Sequence, residues 1–342
     1  KQDEAISTYE NLIGVDSKSV AGRLALARML VKKGETDKAA KMINDVIEID
    51  PDNLMAHDLL GNVSLAEKDY EKAEKEFLTM IELGRDSFEG HFNMARIKLT
   101  QGDFDTCIKH CKSALEIRPL DVRIQNILGI AYVKKGQLKD AVFAFNKIID
   151  IDSDFIQAYL NLAKINIRVK KPGVAALLYR TALKVDPDAV EARLGLGNCY
   201  ASIGNYSKAI TEFESVSKKY PKNTNAYISL ARAYLASDND AKAQEAVTSA
   251  LGLEPDNPMA RYILAKIYAK KSEIQQAILQ LTRVLPDNPK ISSLYELGVF
   301  YIDIEDYDNA VITYKQGVAN FPENNLLWCN LAVAYLMNKD FD

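Results

Sequence analysis

The side chains that could do chemistry in this chain are scarce. Among 342 residues there are three histidines and four cysteines. The densest group is Cys107-Ile108-Lys109-His110-Cys111, which at first sight has the look of a metal cluster. Two thiols and one outward imidazole fall short of the four donors that a structural zinc site takes. His57 and His91 stand one repeat apart at equivalent places, where they could approach one another, but no carboxylate or cysteine is evident in register with them, and both read as packing residues. Gly195-Leu196-Gly197 lacks the preceding strand and the third glycine that phosphate cradling needs. No nucleophile stands at a telling distance from a base. The expectation is therefore a chain with no catalytic residues, no metal and no cofactor, hence no enzyme.

The elements that carry these residues are set by a repeat. Residues 190–223, VEARLGLGNCYASIGNYSKAITEFESVSKKYPKN, form a unit of 34 residues that recurs through the chain. Within it Arg193, Leu196, Gly197 and Tyr200 are spaced i, i+3, i+4, i+7, and Ala209, Phe213 and Val216 are spaced i, i+4, i+7. Each stripe puts one face of a helix against a neighbour. Gly204-Asn205 breaks the chain between the helices and Pro221 ends the second. Numbered from Val190, position 8 reads Ala27, Gly61, Ala95, Gly129, Ala163, Gly197, Ala231, Ala265, Gly298 and Ala332. Position 20 reads Ala5, Ala39, Ala73, Cys107, Ala141, Ala175, Ala209, Ala243, Ala277 and Ala310. Small residues in register at two sites let paired helices approach closely. Cys107 at position 20 and Cys111 at position 24 are accordingly interior packing residues, since buried cysteine behaves as a small hydrophobe.

This pattern resembles the tetratricopeptide repeat, a helix–turn–helix unit of the same period. The resemblance covers the chain: a partial repeat at 1–19, repeats at 20–53, 54–87, 88–121, 122–155, 156–189, 190–223, 224–257, 258–290 and 291–324, and a partial repeat at 325–342. It implies an all-α fold, a right-handed superhelical solenoid forming one domain over 1–342. Departures from the pattern carry information. Lys171-Pro172-Gly173 replaces the usual turn, with Pro172 at the first turn of a helix, where proline is tolerated. Gly84-Arg85 ends its repeat without a proline. The eighth repeat is one residue short, with Pro286 and Pro289 flanking Asp287-Asn288, and a bend is expected there. Both ends fall inside a repeat: Asp340-Phe341-Asp342 matches a turn, and the last helix carries Trp328, Leu331 and Tyr335 without a partner helix. A solenoid ordinarily ends in a polar cap, so the chain reads as a segment of a longer array. The alternative is a natural terminus that self-associates through that face.

Composition agrees with a solvent-facing array. The chain is 48% hydrophobic and 26% charged with a net charge of −4, which leaves no global footprint for nucleic acid or acidic lipid. No apolar run approaches the roughly 18 residues needed to span a bilayer.

The resemblance also supplies a map of the inner face, lined mainly by positions 2, 5, 9, 12 and 13 of the first helices. Position 9 carries Arg28, Asn62, Arg96, Lys164, Asn198, Arg232 and Lys266. Position 5 adds Phe92, Tyr262 and Tyr295, the two tyrosines standing on either side of the short repeat. These ten residues are the candidate ligand-binding set. Acidic residues on the same map are few: Asp58, Glu89, Glu191 and Asp303. Position 13 cations such as Lys270 are discounted, because the helix macrodipole favours them anyway. One reading is a basic track for an acidic peptide, with aromatic anchors; the other is a solvated face. The lysine and asparagine set of family members that clamp a C-terminal carboxylate is absent, and an asparagine ladder at position 6 is thin, with Asn93, Asn161 and Asn330 only.

Two function classes follow from the resemblance. The first is a protein–protein interaction scaffold or adaptor holding a protein or peptide partner along the inner face, with no nucleic acid and no direct membrane span in this segment. In bacteria, long regular members of the family point to cell-envelope export or polysaccharide assembly. The second is a regulatory or substrate-recruiting arm of a larger enzyme such as a glycosyltransferase. Reversing the charges of Arg96, Lys164 and Arg232 together is expected to weaken an acidic partner without unfolding the chain.

Overall fold

The computed structural model describes residues 2–84, 87–285 and 289–338. Its elements are helices throughout, and the residues group into two units, 1–165 and 166–342, divided inside one helix. The first unit holds α1 (Gln2–Val15), α2 (Val20–Lys33), α3 (Thr36–Ile49), α4 (Leu54–Ala66), α5 (Tyr70–Leu83), α6 (Phe88–Gln101), α7 (Phe104–Ile117), α8 (Val122–Lys134), α9 (Leu138–Ile151) and most of α10 (Ile156–Arg168). The second holds α11 (Pro172–Val185), α12 (Val190–Ser202), α13 (Tyr206–Lys219), α14 (Thr224–Ala236), α15 (Asp240–Leu253), α16 (Pro258–Lys270), α17 (Ile274–Thr282), α18 (Ile291–Asp303), α19 (Tyr307–Asn320) and α20 (Asn325–Met337). In each unit consecutive helices pack in pairs, and each pair packs on the next. The fold is all-α and helical-repeat, as the periodicity predicts. No helix among the described residues is long and apolar enough to cross a membrane.

The turns inside the pairs share one device. The residue at position 15 takes a left-handed backbone conformation in each described pair: Gly34, Gly102, Gly136 and Gly204 at φ 78–83°, and Lys68, Lys170, Asp238, Ser272 and Glu305 at φ 57–64°. That conformation ends one helix and re-aims the chain for the next. The following helices start on side-chain caps: Asp69, Asp103, Asn205, Asn239 and Asp306 each accept a hydrogen bond from a first-turn backbone N–H. Pro172 opens α11 at its first helical position, and the left-handed residue before it is Lys170.

Between the paired helices the core is made by positions 8 and 24, and their volumes trade off. Where position 8 is glycine, an aromatic ring fills the space: a Cβ on Gly61 would lie 2.6 Å from Phe77, on Gly129 2.6 Å from Phe145, and on Gly298 2.3 Å from Tyr314. Where position 8 is Ala27, Ala95, Ala231 or Ala265, the residue at 24 is the smaller Ile43, Cys111, Val247 or Leu281. Ala163 shares its repeat with a large residue, Tyr179, and the Tyr179 ring instead lies against Gly195, 2.4 Å from where that residue's Cβ would stand. Cys107 and Cys111 are fully buried, at the packing positions expected of them.

The repeat that is one residue short also has a shorter second helix. α17 has 9 residues where the other second helices of the pairs have 14. The expected bend falls on Pro286-Asp287-Asn288, which lies outside the described residues, as do Arg85 and Asp340-Phe341-Asp342.

Candidate functional site

The ten residues of the inner-face map divide between the units, and the two sets have different chemistry. In the first unit, Arg28, Arg96 and Lys164 are exposed, while Asn62 and Phe92 are half-buried. Asn62 does not face outward as a free amide: its Nδ2 donates to the Asp58 backbone oxygen at 2.8 Å and to Asp58 Oδ1 at 2.9 Å. Asn93, on α6, donates to the same Oδ1 at 3.2 Å and accepts from Arg96 Nη1 at 2.9 Å. Asp58 is thus the hub of a polar network spanning α4 and α6. Burial, reinforced by the nearby Glu89, raises its carboxyl above the ordinary aspartate value, against the lowering effect of Asn62, Arg28 and Asn93. Phe92 is flanked by two guanidiniums, Arg123 at 5.0 Å and Arg96 at 5.8 Å from the ring centre. Arg123, at position 2, lies outside the ten and pairs with Asp121 at 2.6 Å, a contact that no position-9 spacing signals.

Two of the three asparagines at position 6 link neighbouring repeats, while Asn330 donates to the Leu326 backbone oxygen at 2.8 Å. Asn161 donates to Asn126 Oδ1 at 3.2 Å, the same step of one repeat plus one residue that joins Asn93 to Asp58. In the second unit the equivalent step joins Tyr262 to Glu296, with the phenol donating at 3.4 Å. A position-6 side chain therefore reaches the position-5 side chain of the preceding repeat, a link invisible when each position is read alone.

In the second unit, Asn198, Arg232, Tyr262 and Lys266 line one groove of about 960 Å3. Residues outside the ten complete it, among them Tyr206, Met259, Ile263 and Lys270. The groove is walled mainly by α12, α14 and α16, the first helices of three successive pairs, with Tyr206 and Phe213 from α13 and Ser292 from α18, and no aspartate or glutamate stands among its described lining residues. The cations differ in how far they are neutralised. Lys270 meets Asp240 at 2.8 Å and Asp238 at 3.0 Å, and Lys266 stands 3.5 Å from Glu296. Among the described residues Arg232 has no acidic partner. Lys266 also sits over the Tyr262 ring at 5.8 Å. Burial, with Glu296 beside it, raises the Tyr262 phenol, which stays protonated and able to donate. Tyr295 is not part of this groove: it packs on the Tyr314, Val318 and Leu331 cluster, apart from Tyr262.

The histidines depart from expectation. His57 has a carboxylate after all: its Nδ1 lies 2.6 Å from Glu76 Oε2, with both side chains nearly buried, and its Nε2 lies 2.8 Å from the Pro51 oxygen. Glu76 comes from position 23 of the same repeat, a spacing that the helical stripes alone did not flag. His91 does not meet His57; its Nδ1 faces His110 Nδ1 at 2.9 Å. Burial pushes both of these imidazoles below the ordinary histidine value, His110 to about 4, with His91 and Lys109 adding to the shift.

Comparison with known proteins fits this architecture. Family models described as "Tetratricopeptide repeat" match residues 2–63, 92–154, 160–227 and 291–324. One described as "Anaphase-promoting complex, cyclosome, subunit 3" matches residues 202–284. Among solved structures, the Cut9-Hcn1 hetero-tetramer of APC/C is 14% identical, with a TM-score of 0.52 over 98% of this chain and 86% of that one, a likeness of fold. The MamA protein is 27% identical, with a TM-score of 0.45 over 49% of this chain and 92% of its own. YrrB, described as a TPR protein with an unusual peptide-binding site, is 22% identical, with a TM-score of 0.46 over 57% of this chain and 97% of its own. A search of the curated proteins returns no match.

Proposed function

Because this chain belongs to the tetratricopeptide repeat family, we propose that it is a non-catalytic scaffold that holds an acidic polypeptide segment against its second unit. Proteins of the family serve as protein-interaction scaffolds and are typically non-catalytic. The finer reading concerns the partner's chemistry. It rests on Arg232, an exposed cation without an acidic neighbour among the described residues, in a groove whose described lining carries no carboxylate. A carboxylate on an incoming segment would meet Arg232 and lie within reach of Lys266. An apolar side chain would find Met259, Ile263 and the Tyr262 ring. Tyrosine and arginine are the side chains that most often anchor such contacts.

The first unit fits this role less well, because Asp58 stands at the centre of its network and would repel an acidic partner. Arg28, Asn62, Phe92, Arg96 and Lys164 there, and Tyr295 in the second unit, remain secondary members of the proposed set. The same reading takes residues 1–342 as one tandem array with the repeat boundaries given above.

The test is an array of immobilised peptides that differ only in exchanging glutamate for lysine around a common tyrosine. The wild-type chain should retain the acidic members, and less so at high salt. Arg232→Glu should lose them while melting at the wild-type temperature. Equal retention of the basic members would end the proposal.

A further inference from the structure

Positions 4 and 23 face one another across the helix pair in several repeats, and what stands there is ordinarily a matched donor and acceptor. His57 meets Glu76 at 2.6 Å, Arg193 meets Glu212 at 3.0 Å, and Arg261 meets Gln280 at 2.6 Å. In the repeat at 88–121 the same two places hold His91 on α6 and His110 on α7, with Nδ1 opposite Nδ1 at 2.9 Å. Two imidazoles are a weaker latch than a charged pair. They are also the commonest metal-binding side chains, used in their neutral form.

We propose that His91 and His110 form a binding site for one divalent transition-metal ion, of the kind that prefers square or octahedral coordination, as Ni2+ and Cu2+ do. The distance argues for that geometry. Imidazole nitrogens bind such metals at about 2.0–2.1 Å. Two nitrogens 2.9 Å apart then subtend about 90° at the metal, the angle between neighbouring positions of a square or octahedron and well short of the tetrahedral angle. Both rings are half-buried, so solvent reaches the site and water fills the remaining positions. Among the described residues no third histidine, cysteine, aspartate or glutamate converges there, and the protein's share is two ligands. The surrounding charge does not oppose a cation strongly. Lys109 acts on both histidines and Lys98 on His110, while Asp103 acts on His110 and Glu116 on His91 in the opposite sense. Lys98 is itself held by Glu74 at 2.7 Å. A bound ion would replace the latch with a coordinate link between α6 and α7.

The chain has three histidines in all, which makes the test clean. NiCl2 is titrated into the whole chain and followed by calorimetry, by melting temperature and by the proton resonances of the histidine rings. One Ni2+ per chain is expected, with a rise in melting temperature because the folded state alone presents both nitrogens. Paramagnetic Ni2+ should broaden the resonances of two histidines and leave the third, His57, sharp. Binding should be lost in His91→Ala and in His110→Ala, and retained in Cys329→Ser, which removes the exposed thiol. The resonance measurement needs no variant, so it stands even if a histidine substitution unfolds the chain. Broadening of no ring, or of all three alike, overturns the proposal, as does undiminished binding in a folded His110→Ala chain.

Discussion

Gly197 and Phe213 occupy one space: a Cβ on Gly197 would stand 2.4 Å from Phe213 Cε1. Both residues are buried, on α12 and α13 of the same pair. Glycine costs helix propensity relative to alanine, roughly 1 kcal/mol in a helix interior. Here that cost is offset by the ring it admits. Gly197→Ala should therefore destabilise the chain by about 1–3 kcal/mol, the usual penalty for overpacking, despite its better propensity. Phe213→Leu added to it should recover most of the loss, as Leu281 opposite Ala265 suggests. Denaturant melts of the two single variants and the pair check this. Additive losses would show that the two sites do not share their volume.

Asp58 links stability to pH. Its carboxyl is raised in the folded chain, so the folded state binds the proton more tightly than the unfolded state does. The charged form is then a penalty that is fully present above the raised value and falls away as pH drops toward the ordinary aspartate value. Asp58→Asn keeps an Oδ1 to accept from Asn62 and Asn93 and removes the charge. The variant should melt above wild type at pH 7, and the gap should close on acidification to about pH 4. A gap that is constant with pH would mean the side-chain shape, and not its ionisation, decides.

Position 15 offers a second stability test. Lys68 and Asp238 both hold left-handed backbone, at φ 64° and 57°. Glycine adopts this conformation without steric cost, and aspartate tolerates it better than lysine. Lys68→Gly should stabilise by about 0.5–1 kcal/mol, and Asp238→Gly by less. Thermal melts of the two variants should keep that order.

The His57–Glu76 contact is nearly sealed from solvent. Removing one partner leaves the other buried without its hydrogen bond, which costs about 1–3 kcal/mol. His57→Ala should lose stability on that scale. Glu76→Gln, which can still accept from the imidazole, should lose markedly less. Equal losses would show that the contact acts as packing alone.

Much of this was legible before any coordinates. The period of 34, the small residues at positions 8 and 20, and the punctuating Gly204 and Pro172 are local facts. A helix start, a turn and a packing stripe depend on residues within one or two turns of each other, so the sequence by itself determined the repeat class, the pairing of helices and the burial of Cys107 and Cys111. Relations across helices were harder to see. That Glu76 answers His57, that His110 answers His91, and that Asn93 reaches Asp58 rest on side-chain directions 19 to 35 residues apart in the chain. The candidate site shows the same division. The cations of position 9 could be named from spacing, but only the tertiary structure decided which of them stand beside a carboxylate. Glu296 meets Lys266 and Arg232 is left facing the groove, while Lys270, at position 13, is held by Asp238 and Asp240. A charge is a property of a residue type, whereas its availability depends on what the neighbouring helices place within a few ångströms of it.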